Sequence, residues 1–344
     1  MLGAAGAVAL GLAAFFTAVP ADSQSGSVVN IYSYREPVLI DPLLKAFTAK
    51  TGIKTKVIFA KAGLTERMAA EGQNSPADVL LTVDIGRLAE AKSKGVSQPL
   101  TSKALTESIP AAYRDPDGHW FGVSMRARVI YASKERVKKT AISYEDLADP
   151  KWKGKICSRS AQHTYNLGLI ASIIAHMGEA KAEAWLRGFK ANLARKPAGG
   201  DREQVRDVFA GRCDIAIGNT YYMAAMQRNK KNPEQQKWAA AVRIIFPNVT
   251  GRGTHVNLSG MVLAKYAPHK AAAIKLMEFL ASAEGQKIYA EIVSEYPLKA
   301  GIPLAPHVES WGHLKADSLP LARIAELRKK ASTLVDKVNF DAGP

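Results

Sequence analysis

The sequence predicts an α/β fold of two lobes with a ligand cleft between them. Three observations carry this. Between Val28 and Gly95, short β-rich runs alternate strictly with amphipathic helical runs, the pattern of a sheet with helical crossovers. One such unit is complete before a second begins, and VNLSGMVLAKYAP then reads as a return crossing. The length, 344 residues, is long for one core and comfortable for two. The expected division assigns residues 28–125 plus about 250–298 to the first lobe, and 126–249 plus about 299–344 to the second.

Each element has its own signal. VVNIYSY is rich in β-branched and aromatic residues and reads as a strand. PVLIDPLLKAFTAKTG reads as a helix, because Leu39, Leu43, Leu44 and Phe47 share a face and Gly52 stops it. IKTKVIFA is the second strand and LTERMAAEG the second helix, closed by Gly72. ADVLLTVD is apolar on both faces, as expected in a parallel sheet, and IGRLAEAKSKG is the helix after it. HWFGVSMRARVIYASKE reads as a long strand. SYEDLADPKWKGKICSRS supplies a short helix, a turn and a strand. Helices follow over Thr164–Met177, with Leu167, Ile170, Ala171 and Ile174 inward, and over Lys181–Leu193. REQVRDVFAG is helical, CDIAI a strand, and GNTYYMAAM a turn into another helix. WAAAVRIIFPN carries a helix end and a strand, and helices over Lys270–Ala283, Ala283–Val293 and Pro320–Val338 finish the chain.

The first 21 residues are apolar, without Lys, Arg or acid, and Val19-Pro20-Ala21 supplies small residues for a signal peptidase. They read as an export signal cleaved after Ala21; a retained membrane anchor is the alternative. Cleavage there removes no charge, so the net +16 stays with the mature chain. The basic residues are scattered, and no zinc-finger, ribonucleoprotein or basic-zipper pattern is present, so no nucleic-acid partner is expected. In an exported chain the two cysteines, Cys157 and Cys213, favour a disulfide, two buried thiols being the alternative.

Ligands of open α/β sheets sit at the carboxyl ends of strands. Here those ends carry Tyr34-Arg35-Glu36, Asp84, Ser158-Arg159-Ser160 and Thr220-Tyr221-Tyr222. A phenol has a reference pKa near 10 and binds metal well only after losing its proton. A hard trivalent cation such as Fe³⁺ drives that loss and prefers oxygen donors. Tyr221 and Tyr222, consecutive at a turn, can reach one ion. Tyr165, also between a strand and a helix, supplies a third phenolate and completes neutralisation. Ser158, Arg159 and Ser160 are candidates to hold a small anion beside the metal. The bland alternative for each tyrosine is a half-buried ring with its hydroxyl on a carbonyl or water. His163 reads as a surface or neighbouring residue, not a ligand. An exported hydrolase is disfavoured, since neither G-x-S-x-G nor H-E-x-x-H occurs.

GNTYYM, SRS…TYN, SPADVLLTVDIGRL, DGHWFGVSMRARVIYASKERV and DPKWKGKI together resemble the ferric-iron-binding periplasmic proteins of bacterial ABC transporters. The resemblance runs from Val28 to about Phe340. It implies a type II periplasmic-binding-protein fold, each lobe a mixed sheet flanked by helices. It also implies Fe³⁺ held by tyrosinates, with a synergistic anion such as carbonate, and a monomer that delivers iron to an inner-membrane permease and its ATPase. Tyr165, Tyr221 and Tyr222 match the family's three tyrosine ligands, and Arg126 resembles its cleft arginine, with Arg128 as rival. The first lobe departs from the pattern. Many relatives follow the first strand with a Tyr-Ser/Thr-x-Arg-His-Tyr segment; here YSYREP places Glu36 where the His stands and Pro37 where the Tyr stands. Tyr34 and Glu36 are the remaining first-lobe candidates, with water or carbonate as the alternative. The competing function is the same fold binding thiamine, a polyamine, phosphonate or sulfate, with Trp120 and Trp152 available for an aromatic cage.

Overall fold

The structure, a computed structural model, describes residues 28–344; the expected export signal lies outside the described residues. Nine strands form the sheet among these residues: β1 (Val28–Ser33), β2 (Lys54–Phe59), β3 (Val79–Thr82), β4 (Phe121–Ser133), β5 (Ile156–Cys157), β6 (Ile215–Asn219), β7 (Val242–Ile245), β8 (Val256–Leu263) and β9 (Tyr296–Pro297). The order is β2-β1-β3-β8-β4-β6-β5, with β7 and β9 also paired to β4.

Strand β4 runs through both lobes. Its residues from Phe121 to Ala127 pair antiparallel with β8 and β9. Those from Arg128 to Ser133 pair antiparallel with β6 and β7. All but Met125 of its 13 residues are buried, Ser124, Arg126 and Arg128 among them. The run ADVLLTVD is parallel to β1 on one side but antiparallel to β8 on the other. Burial on both faces caused its apolar composition; parallel pairing on both sides was not needed.

Helices cover the sheet. Pro37–Thr51 begins with Pro at its first position, where the missing N–H costs nothing, and stops at Gly52 with φ 71°. The long final helix, Leu321–Val338, buries Leu321, Ile324, Leu327, Ala331, Leu334, Val335 and Val338, a helical-period stripe packed on the helix Thr164–Met177. Each such aliphatic side chain contributes about 1.5–3 kcal/mol when fully buried. The helical run after Ala283 is α only to Ile288; a π turn over Tyr289–Val293 follows and ends at Ser294, φ 62°. That irregular ending turns Glu295 inward. A short helix, Lys103–Ser108, escaped the sequence reading; Ser102 caps it by accepting from the Leu105 N–H.

Candidate metal centre

Two neighbouring parallel strands present the tyrosines. β5 pairs with β6 through Ile156↔Ile215 and Cys157↔Ala216. Cys157 and Cys213 are joined by a disulfide with Cα atoms 5.8 Å apart, and each stands eight residues before Tyr165 or Tyr221. After β5 the chain turns into the helix Thr164–Met177, where His163 Nδ1 accepts from the Tyr165 N–H at 3.2 Å. After β6 it turns into the helix Thr220–Gln227. Tyr165 and Tyr221 thus sit in the first turns of two adjacent helices.

Their hydroxyl oxygens lie 3.1 Å apart. The rings of Tyr221 and Tyr222 lie 4.2 Å apart with planes inclined by 32°. All three border a cleft of about 380 Å³. Arg159, His163 and Arg202 border it from the same lobe, and Tyr34, Arg35, Glu36 and Arg87 from the lobe of β1–β3. A larger groove, about 1670 Å³, runs beside it between the helices Ile85–Ser93 and Leu321–Val338. The larger space contains none of the three tyrosines. Among the described residues, no three His, Cys, Asp or Glu side chains are grouped to hold a metal, so the phenols are the concentrated oxygen donors.

Guanidinium groups surround the phenols. Those of Arg126, Arg128 and Arg159 lie 5.5, 5.8 and 5.4 Å from the Tyr165 ring. Arg35 lies 5.5 Å from the Tyr221 ring and Arg202 lies 4.8 Å from that of Tyr222. Burial, reinforced by the Tyr165 phenol, pushes the Tyr221 and Tyr222 hydroxyls well above the ordinary phenol range. Without a cation these groups stay protonated. Burial, reinforced by Arg159, lowers the His163 imidazole to about 3, so it is neutral there.

Buried carboxylates fix the arginines. Asp201 accepts from Arg128 at 2.6 Å, from Arg159 at 3.0 Å and from the Asn219 N–H at 2.8 Å, which ties the strand end before Tyr221 to the loop before Tyr165. Glu295 accepts from Arg35 at 2.8 Å. Sequence reading placed Arg35 at a ligand-bearing strand end but missed Asp201, Glu295 and Arg202 as site residues. Arg202 is ordinary in composition, and Asp201 reads as a helix-start acid.

Several expected residues stand elsewhere. The Tyr34 hydroxyl accepts from the Thr65 N–H at 2.9 Å and is 3.1 Å from Thr65 Oγ1, so it is held within its own lobe. Glu36 does border the cleft, 3.9 Å from Arg202 across it. Ser158 is fully buried; its hydroxyl donates to the Arg159 carbonyl and accepts from Asn166. Ser160 donates to Asp341. Neither serine borders the cleft, because each hydroxyl is used in shaping the loop. Arg126 is 1 % exposed and bonds Ser259 at 3.3 Å; it lies outside the cleft wall. Trp152 is a core residue and Trp120 lines only the larger groove, so neither forms a cage with the tyrosines.

A two-lobed α/β frame with a polar cleft at strand ends defines a solute-binding protein, and the fold is that of the type II periplasmic binding proteins. Residues 74–315 match the model of the bacterial extracellular solute-binding protein family, and the chain belongs to it. It is 43% identical over 91% of its length to iron uptake protein A1 of Synechocystis, of which it covers 87%. It superposes on the apo ferric ion-binding protein A of Pasteurella haemolytica with a TM-score of 0.88 and 49% identity, covering 92% of this chain and 99% of that one. A Trichodesmium protein in complex with iron and citrate matches with a TM-score of 0.86 and 45% identity, over 91% of this chain and 100% of that one.

Proposed function

We propose that this protein is the periplasmic solute-binding component of a ferric-iron ABC importer. It takes Fe³⁺ into the cleft on Tyr165, Tyr221 and Tyr222 and delivers it to an inner-membrane permease and its ATPase. The observation that carries this reading is the convergence of the phenols, with two hydroxyl oxygens 3.1 Å apart and the third ring 4.2 Å from the second. Three phenolates around a trivalent ion cancel its charge, and a hard ion matches oxygen donors. The printed names of the relatives, iron uptake and ferric ion binding, agree with it.

The lobes are residues 28–125 plus about 250–298, and 126–249 plus about 299–344, with β4 and β8 as the strands that flex when they close. Glu36 is the first-lobe group facing the metal, and Arg159 is the cation placed to hold a synergistic anion such as carbonate. The protein acts as a monomer and turns over no substrate. Release follows from reopening, from reprotonation of the phenolates or from reduction, since Fe²⁺ is a poorer match to three phenolates.

The test is iron retained after dialysis against citrate, read by atomic absorption. The parent keeps about one iron per chain, a stoichiometry set by one three-phenolate site. The Tyr165→Phe, Tyr221→Phe and Tyr222→Phe triple variant keeps none. Retention by the triple variant, or stabilisation of the parent by thiamine or a phosphonate and not by iron, contradicts the proposal.

A further inference from the structure

Asp84 stands just past the end of β3, the kind of place that carries ligands, yet it does not border the tyrosine cleft. Its side chain is fully buried and accepts from the Gly86 N–H and from Asn257 Nδ2, both at 2.8 Å. Although burial opposes it, Arg328 and then Arg126 hold the carboxyl below the ordinary carboxylate range. Asp84 is therefore a fixed, charged anchor in the first lobe.

Arg328 reaches it from the second lobe. Nη1 donates to Asp84 Oδ1 at 2.6 Å, and Nη2 donates to Thr164 Oγ1 at 2.7 Å. Thr164 precedes Tyr165 and opens its helix. The helix that carries Arg328, Leu321–Val338, is itself tied to the loop before Tyr165. Gln162 donates to the Ser332 carbonyl at 3.0 Å and to Asp336 at 2.7 Å, and accepts from the Ser332 hydroxyl at 2.8 Å. One guanidinium thus bonds the tyrosine-bearing lobe to the lobe of β1–β3, a task that suits a rigid planar fork better than an ammonium point charge. The wall beside it is shaped for the purpose. A Cβ on Gly86 would lie 2.4 Å from Arg328 Cδ and Nε, so the missing side chain gives the guanidinium its path. By contrast, Glu36 and Arg202 are 3.9 Å apart and partly exposed, where an ion pair contributes little.

We propose that Arg328 is an interlobe strap that holds the cleft shut and slows the loss of iron. As the lobes separate, Thr164 moves away from Asp84, and the guanidinium keeps one partner but not both. The strap's cargo rests on the ferric-iron reading.

The experiment follows decay of the phenolate-to-iron band as iron-loaded protein is mixed with excess EDTA at neutral pH. Arg328→Met and Gly86→Ala start with the band maximum of the parent, because the three phenols are untouched. Both then lose the band about tenfold faster, the order set by one charged hydrogen bond. Arg328→Lys, which keeps the charge and holds one partner, falls between. Lys329→Met removes an exposed cation from the same groove and decays like the parent, which separates the strap from a general loss of positive charge. Gly86→Ala keeps Arg328 and displaces only its end, so it decides the matter if Arg328→Met does not fold. Parent-like decay in Gly86→Ala, or equal acceleration by Lys329→Met, overturns the strap and leaves the ferric reading intact. A parent without the band overturns the ferric reading and, with it, the strap's part in holding iron.

Discussion

Replacing Glu295 by Gln tests whether the arginines around the phenols are held by buried charge. Arg35 and Glu295 are 4 % and 1 % exposed, with Nη1 and Oε1 2.8 Å apart. Glu295 also takes bonds from Ser124 and Ser259. Gln keeps the shape and one acceptor but leaves the Arg35 charge buried and unpaired. Breaking a buried pair from one side costs about 3–5 kcal/mol, whereas Arg35→Met combined with Glu295→Gln costs less than the single change because no lone charge remains. The assay is urea denaturation of the iron-free proteins, following the transition of the β1–β3 lobe. The pH dependence gives a second check. Although burial opposes it, Arg35 holds the Glu295 carboxyl below the ordinary range. The pair's contribution is therefore full above the unfolded carboxyl value, about 4.3, and is lost as pH falls through the lower folded value. The deficit of Glu295→Gln relative to the parent is largest at neutral pH and shrinks below about pH 4. A single change costing under about 1 kcal/mol, the range of exposed pairs, refutes the reasoning.

Three further outcomes follow from the same geometry. Because each phenol gives up its proton to bind Fe³⁺, uptake of iron from a chelate at pH 7 releases about three protons from the site, beyond those of the chelate itself, measured by pH-stat titration against a Tyr-to-Phe blank; a value near zero contradicts it. Gly218→Ala forces a methyl to within 2.0 Å of the Tyr131 ring, just before the turn that carries Tyr221, and destabilises the protein by about 1–3 kcal/mol in denaturant melts. Ser158→Ala keeps iron affinity within about threefold of the parent while Arg159→Gln loses about tenfold, near the value of one charged hydrogen bond; equal losses would return the serine to the cleft wall.

Much of this was legible beforehand because it is local. The helix Thr164–Met177 follows from its apolar period, and the turns that carry Tyr165 and Tyr221 follow from strand-like runs ending in polar residues. The tyrosine set came from matching long motifs. What stayed hidden depends on distant partners. Glu295 meets Arg35 across 260 residues, and Ser160 is taken by Asp341 near the end of the chain. No periodicity encodes either contact. Tyr34 stands at a strand end, the right place for a ligand, yet Thr65 from a neighbouring helix takes its hydroxyl.

The most direct measurement is the visible spectrum during titration of iron-free protein with ferric nitrilotriacetate. Phenolate-to-iron coordination produces a charge-transfer band that grows to a one-to-one endpoint, shifts or weakens when any one of Tyr165, Tyr221 or Tyr222 is changed to Phe, and vanishes in the triple variant. A colourless endpoint in the parent, or an unchanged band in the triple variant, would mean that iron, if bound, is held by something other than these three rings.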